Sequence, residues 1–199
     1  MPHSWELPQS AAIAACWGAF AVVWLVGAAV NLKLSPPVAR RGRWFSLAIL
    51  VFVVLVALAV AHVVSASVWN AVTYRSPWLG LLGLVTLAVS TGFTLWARWW
   101  LGTMWTSTAV VKTGHQLRTG GPYRITRHPI YTGLLGMLIG TALLNGIGAW
   151  LAGIVAGIII AQLKLRDEER LLTVEFPDDY PNFRRRVPGL VPFSRVGRR

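Results

Sequence analysis

The chain has 199 residues, a mean hydropathy of +0.56, 55% apolar residues and a formal net charge of +12. Only 13% of its residues are charged, against roughly a quarter in soluble domains, which excludes an ordinary water-soluble domain and reads as a membrane protein. Its positive charge does not indicate nucleic acid, because eighteen of the nineteen basic residues fall in loops on one side of the apolar segments, as orientation signals or lipid-headgroup contacts do.

Uncharged apolar stretches cover residues 11–32, 45–68, 78–97, 129–144 and 147–163. About 20 helical residues cross ~30 Å of hydrocarbon, so the first three stretches are long enough to span it. The last two, of 16 and 17 residues, meet at Asn145-Gly146 and are expected to form a tight helical hairpin that gains length at its cytoplasmic ends. Open strands are excluded within lipid, where their backbone groups would go unpaired.

No Lys or Arg precedes the first apolar run, so that span is expected to be retained rather than cleaved as a signal peptide. Cys16 lies within it, has no intramolecular disulfide partner, and sits in an apolar setting that disfavours a thiolate. Trp17 and Trp24, also in the first span, are expected to face lipid or to pack. Trp44, Trp69, Trp78, Trp96, Trp99, Trp100 and Trp150 lie near span ends, where an amphipathic ring anchors at headgroup level. His62, alone in the second span, is expected to be hydrogen-bonded within the bundle.

Lys33, Arg40, Arg41 and Arg43 separate spans one and two; Arg98, Lys112, Arg118, Arg124 and Arg127 separate spans three and four; Lys164 and later basic residues follow span five. Arg75 alone lies opposite. The positive-inside bias then gives an outside N-terminus, five spans and a cytoplasmic C-terminus, in the inner membrane if the source is bacterial. The expected architecture is a single all-α integral membrane domain of five transmembrane helices with a cytoplasmic C-terminal cap. Residues 1–97 form three N-terminal spans, and residues 98–199 form the third loop, hairpin and tail. Gly133, Gly136 and Gly140 recur near one face of span four, and Gly148, Gly153 and Gly157 lie in span five. Small residues at such spacing predict that the final hairpin is the closest-packed pair.

The polar residues concentrate at the mouth of that hairpin. Gly120-Gly121-Pro122 predicts a turn bringing backbone close to a ligand, and Pro129 suits the first turn of span four, whose unpaired amides then face the cytoplasm and attract anions. Arg124 and Arg127 add positive charge. Asp167, Glu168 and Glu169 follow span five on consecutive positions, about 100° apart around a helix, so they cannot all face one ligand. Six of the seven acidic residues lie between residues 167 and 179, across the same opening from the basic third loop. A zwitterionic cofactor with a carboxylate, an ammonium and ribose hydroxyls would match those charges. Taken singly, His128 reads as a helix cap, Glu168 and Glu169 as partners of Arg166 and Arg170 on a solvated turn, and Tyr123 and Tyr131 as interface anchors; their conjunction favours a site. No HxxxH, CxxC or paired Asp pattern points to a metal.

At these residues the chain resembles the isoprenylcysteine carboxyl methyltransferases and their bacterial relatives, a family that includes phospholipid N-methyltransferases. The resemblance covers residues 95–193 and rests on Leu101-Gly102-x-x-Trp105, the run from Gly121-Pro122-Tyr123-Arg124 to Arg127-His128-Pro129-x-Tyr131-x-Gly133, Glu168-Glu169-x-x-Leu172, and a tail with Phe176, Tyr180, Phe183, Arg186-Val187-Pro188 and Pro192. Pro177 and Phe183 stand where glycine and tyrosine are usual, and Pro181 stiffens the same segment. The resemblance implies S-adenosyl-L-methionine as cofactor and a lipid-like acceptor entering from the bilayer. It implies that Tyr123, Arg127 and Pro129 belong to the cofactor site, in which His128, Tyr131 and the backbone near Gly133 hold the methionine part and Glu168 and Glu169 the amino group or ribose. Leu134, Tyr180, Phe183 and Val187 would wall the adenine. A carboxylate acceptor calls for an orienting arginine, Arg166 or Arg170, and an amine acceptor for a base, a carboxylate such as Glu168 or else His128. Two rival readings are a nicotinamide-dependent sterol-type reductase, for which the chain is short, and a non-catalytic lipid-binding protein, which would not need both polar motifs.

Overall fold

A computed structural model describes residues 6–34, 38–41, 46–105, 110–112 and 116–192. Among them the chain forms seven α-helices: α1 (Glu6–Leu34), α2 (Ser46–Val63), α3 (Ala66–Ala71), α4 (Pro77–Leu101), α5 (Pro129–Asn145), α6 (Trp150–Glu175) and α7 (Asp179–Arg186). By length and composition Gln9–Leu34 and Pro77–Met104 are apolar enough to cross a bilayer, and Val51–Val63 and Pro129–Asn145 are shorter apolar helices. Leu25, Leu32, Phe52, Leu58 and Val89 are among many large apolar side chains on the outer faces. Such a surface suits lipid rather than water. Outside the apolar segments, β1 (Val38–Arg41) pairs antiparallel with β2 (Val110–Lys112), joining the first and third loops.

Helix ends follow local chemistry. Ser76 caps α4 by accepting a hydrogen bond from the Leu79 amide at 3.2 Å, with Pro77 in the first turn. Pro129 opens α5, and Gly146, at φ +91°, closes it in a left-handed conformation that glycine adopts without strain. Residues 45–68 do not form the single span that their hydropathy predicts. Ser65 turns to extended backbone and its hydroxyl pairs with Ser67 at 2.9 Å, so α2 stops at Val63 and α3 folds back until Trp69 Nε1 donates to the Ala61 carbonyl at 3.1 Å. His62 is exposed on α2 rather than bonded in the bundle. Trp78 and Trp99 are exposed like anchors, and Trp44 lies outside the described residues.

The closest helix pair is α4–α5, not the final hairpin. Gly140 lies against the α4 backbone so tightly that a Cβ there would stand 2.6 Å from the Leu87 nitrogen, and one at Gly83 would stand 2.9 Å from the Gly140 carbonyl. Gly133 and Gly136 face Thr94 and Ser90 of α4 in the same stripe. Of the span-five glycines, Gly157 meets only Leu135 and Leu138 side chains, and Gly153 meets nothing within 4 Å. The small-residue stripe of α5 thus points at the preceding helix. Leu87, Met137 and Leu144 form the buried centre of this pair, with Ile13, Cys16, Trp17 and Phe20 of α1 packed on it. Trp17 Nε1 donates to Thr141 Oγ1 at 3.1 Å.

Candidate active site

Five side chains from three elements meet where α5 begins and α6 leaves its apolar half. Tyr131, one turn into α5, donates to Glu168 Oε1 at 2.6 Å. His128, the residue before α5, lies between two carboxylates: Nδ1 is 3.4 Å from Glu168 Oε2, and Nε2 is 3.2 Å from Glu169 Oε1. Arg127 Nη2 stands 2.8 Å from the same Glu169 oxygen. Consecutive residues on α6 present both carboxylates here, because His128 reaches one with each ring nitrogen while Tyr131 also bonds Glu168 and Arg127 also pairs with Glu169.

The C-terminal segment closes over this cluster mainly through main-chain groups. The amides of Arg127 and His128 donate to the Pro188 and Gly189 carbonyls at 2.8 and 3.3 Å. Thr132 Oγ1 donates to the Leu190 carbonyl at 2.7 Å, Thr126 Oγ1 to that of Gly189, and Arg127 Nη1 to that of Arg184 at 2.8 Å. Beneath them Tyr123, Tyr180 and Phe183 form a second buried cluster with Leu101, Leu117, Leu172, Phe176 and Val187 around it. Thr126 and Thr132 carry no motif signature; only their position inside the run from Gly121 to Gly133 marks them.

The electrostatics follow from burial and pairing. Burial disfavours a charged His128, but hydrogen bonds to Glu168 and Glu169 and their charges outweigh it, so its pKa is raised. Burial likewise opposes the Glu169 carboxylate, and contact with His128, Arg127 and Arg184 reverses that effect and lowers its pKa. Burial pushes the Tyr123 and Tyr180 phenols up, with Glu168 adding to the first and Glu169 to the second, and both stay neutral. Tyr180 Oη is buried without a hydrogen bond of good geometry, although it lies near enough to Glu169 to feel its charge.

A pH dependence follows. A raised His128 pKa stabilises the fold fully below its ordinary 6.5, and this contribution is lost as pH rises through the folded-state value. The lowered Glu169 pKa stabilises above its ordinary 4.5 and is lost as pH falls through the folded-state value. Melting of detergent-purified protein should therefore fall on the alkaline side, and His128→Gln should flatten that fall. An identical alkaline slope in the variant would remove the His128 network as its origin.

The other residues singled out in the sequence are placed as follows. Pro129 is fully buried, Gly133 packs on Thr94, and Leu134 lies against the Leu87–Met137–Leu144 cluster. Arg166 and Arg170 are exposed, and Arg170 pairs with Asp167 at 3.9 Å, so the structure does not bring them to the carboxylate–histidine cluster. Gly121, at φ +56°, lies flat under Trp100, where a Cβ would stand 2.7 Å from the indole. That turn packs on Trp100 of α4 and leads into the buried Tyr123.

Apolar helices joined at one end by two carboxylates, an imidazole and a guanidinium define a helical protein of membrane type with a polar cluster at one end of its bundle. The chain belongs to the phospholipid methyltransferase family, whose profile matches residues 78–178, half of its length. That family consists of membrane methyltransferases and generally uses S-adenosylmethionine. Among individual proteins, the cobalt-zinc-cadmium resistance protein CzcN of Cupriavidus metallidurans is 29% identical over 154 residues, covering 77% of this chain and 63% of its own. The nickel-cobalt-cadmium resistance protein NccN of Alcaligenes xylosoxydans xylosoxydans is 27% identical over 183 residues, 82% of this chain and 75% of its own. Protein-S-isoprenylcysteine O-methyltransferase B of Arabidopsis thaliana is 37% identical over 81 residues, 40% of this chain and 41% of its own. The chain thus spans a little under two thirds of the first of these relatives.

Proposed function

We propose that the protein is an integral membrane methyltransferase that moves a methyl group from S-adenosylmethionine to a lipid-like acceptor. In this reading the chain crosses the bilayer five times with its N-terminus outside, and the cap of α7 and the tail lies on the cytoplasmic side. The observation that carries it is the meeting of Glu168 and Glu169 with His128 and Tyr131 at 2.6–3.4 Å, across 37 to 41 residues of sequence.

The donor set fits the cofactor. Glu168 has a half-open side chain, 30% exposed, with oxygen lone pairs beyond those used by Tyr131 and His128. Glu169 is already engaged by Arg127, His128 and Arg184, so Glu168 is the carboxylate free to take an ammonium or ribose hydroxyl, and Glu169 fixes the frame. Tyr180 Oη supplies an unmet buried hydroxyl beside them, with Phe183 and Val187 as an apolar wall. When bound, the cofactor supplies an electrophilic sulfonium methyl. The protein's part is alignment and dehydration: holding two reactants in line contributes on the order of 7–11 kcal/mol. The raised pKa of His128 favours its charged form, in which it clamps the two carboxylates and has no lone pair to act as a base, so an amine acceptor would give its proton to Glu168.

Melting of the purified protein with S-adenosylhomocysteine and, separately, with NADPH tests this. Stabilisation by the homocysteine ligand alone is expected; stabilisation by NADPH alone supports the reductase, and by neither a non-catalytic lipid binder.

A further inference from the structure

Arg98 stands in the last turn of α4 and is 5% exposed, in a bundle whose other faces are apolar. Its Nη1 donates to the Gly102 carbonyl at 2.9 Å, which explains one of its donors as a helix cap. Its guanidinium carbon lies 4.6 Å from the Trp105 ring centre and 6.0 Å from that of Trp24. Opposite, α1 carries Gly27, where a Cβ would stand 2.8 Å from the same carbon. Two indoles and one missing side chain therefore make a seat shaped around the guanidinium.

Among the described residues no carboxylate pairs with Arg98, and its Nε is buried with no hydrogen-bond partner. Ring faces offset part of the cost of withdrawing a cation from water, but they leave the in-plane N–H unmet. The ionisable neighbour that acts on Arg98 is Tyr123, which in turn feels Glu168. The unmatched cation is thus one tyrosine away from the carboxylates assigned above to the cofactor, on the side facing α1. Arg166 and Arg170 are exposed on α6 and offer no such enclosure.

We propose that Arg98, seated between Gly27, Trp24 and Trp105, receives the anionic end of the lipid-like acceptor, a carboxylate or phosphodiester oxygen hydrogen-bonded to Nε. The word acceptor rests on the methyltransferase reading; the anion seat itself does not. A group docked there keeps its tail toward α1 and lipid, and its polar end within reach of Tyr123.

Native mass spectrometry of the full chain in detergent, offered oleate, dioleoylphosphatidylglycerol or dioleoylphosphatidylcholine, tests the seat. The wild type should retain at least one of the two anionic lipids roughly tenfold over the zwitterionic one, and which one it keeps separates carboxylate from phosphodiester. Arg98→Leu should bring retention to parity, while Arg98→Lys keeps part of the preference. No preference in the wild type, or an undiminished one in Arg98→Leu, overturns the proposal. Should Arg98→Leu fail to purify as a single species, Gly27→Ala decides: its methyl displaces the guanidinium, and an unchanged lipid preference would overturn the seat. S-adenosylhomocysteine shifts on the same samples report separately on the cofactor site. Their absence from a wild type that still prefers anionic lipid would sink the methyltransferase reading and leave the seat standing.

Discussion

Glutamine in place of Glu168 should weaken S-adenosylhomocysteine binding roughly 10- to 150-fold, the loss of about 1.5–3 kcal/mol of charge-assisted hydrogen bonding. The substitution keeps the side chain's size and its acceptor for the Tyr131 hydroxyl at 2.6 Å, so what disappears is the negative charge that an ammonium group would meet. Titration calorimetry of the purified protein measures this directly, and Asp178→Asn, on the exposed rim of α7, serves as the unaffected control. Equal affinities for wild type and Glu168→Gln would show that the cofactor, if bound at all, does not sit against this carboxylate.

Glu169→Ala should act on the fold instead. Its carboxylate is 17% exposed and neutralises Arg127, itself 10% exposed, as well as touching His128. Removing it leaves the buried Arg127 guanidinium without its carboxylate and His128 with Glu168 alone, and breaking a buried pair from one side costs on the order of 3 kcal/mol. Arg127 also ties down the Arg184 carbonyl and, through its amide, the Pro188 carbonyl, so the loss should loosen the tail. A lower melting temperature and faster tryptic cutting at Arg184–Arg186 are expected, with α1 and α4 still protected. Wild-type melting and cutting rates in Glu169→Ala would mean that the cap is held without this pair.

Much of the site is legible in the sequence because its parts are chemically marked. Pro129 sets where α5 starts and Gly146 where it ends, and α5 runs between them as Pro129–Asn145. His128, Tyr131, Glu168 and Glu169 stand out as polar residues at the ends of apolar runs, and the fold brings the four together. Features that depend on helix phase are hidden. Gly133, Gly136 and Gly140 announce a close contact but not its partner, which is α4 rather than α6. Hydropathy averages over Ser65, so the break between α2 and α3 is invisible in a run that stays apolar to Val68. Arg98 looks like any basic residue closing a span, and only its burial between two indoles, with no counter-ion among the described residues, sets it apart. Thr126 and Thr132 matter through the carbonyls they reach 63 and 58 residues away, a pairing no local pattern announces.

The way the tail is fastened also governs how the protein tolerates change. Pro188, Gly189 and Leu190 contribute main-chain carbonyls to the clasp, which every amino acid possesses, so side-chain identity matters little to closure at 188 and 190, whereas a Cβ at Gly189 would stand 3.3 Å from Arg127 Nη2. The vulnerable partners are on the other side: proline at 127 or 128 deletes an amide donor outright, as Ala at Thr126 or Thr132 deletes a hydroxyl. Substitutions along the last segment should therefore loosen its closure less than substitutions in the short stretch from Thr126 to Thr132 that holds it.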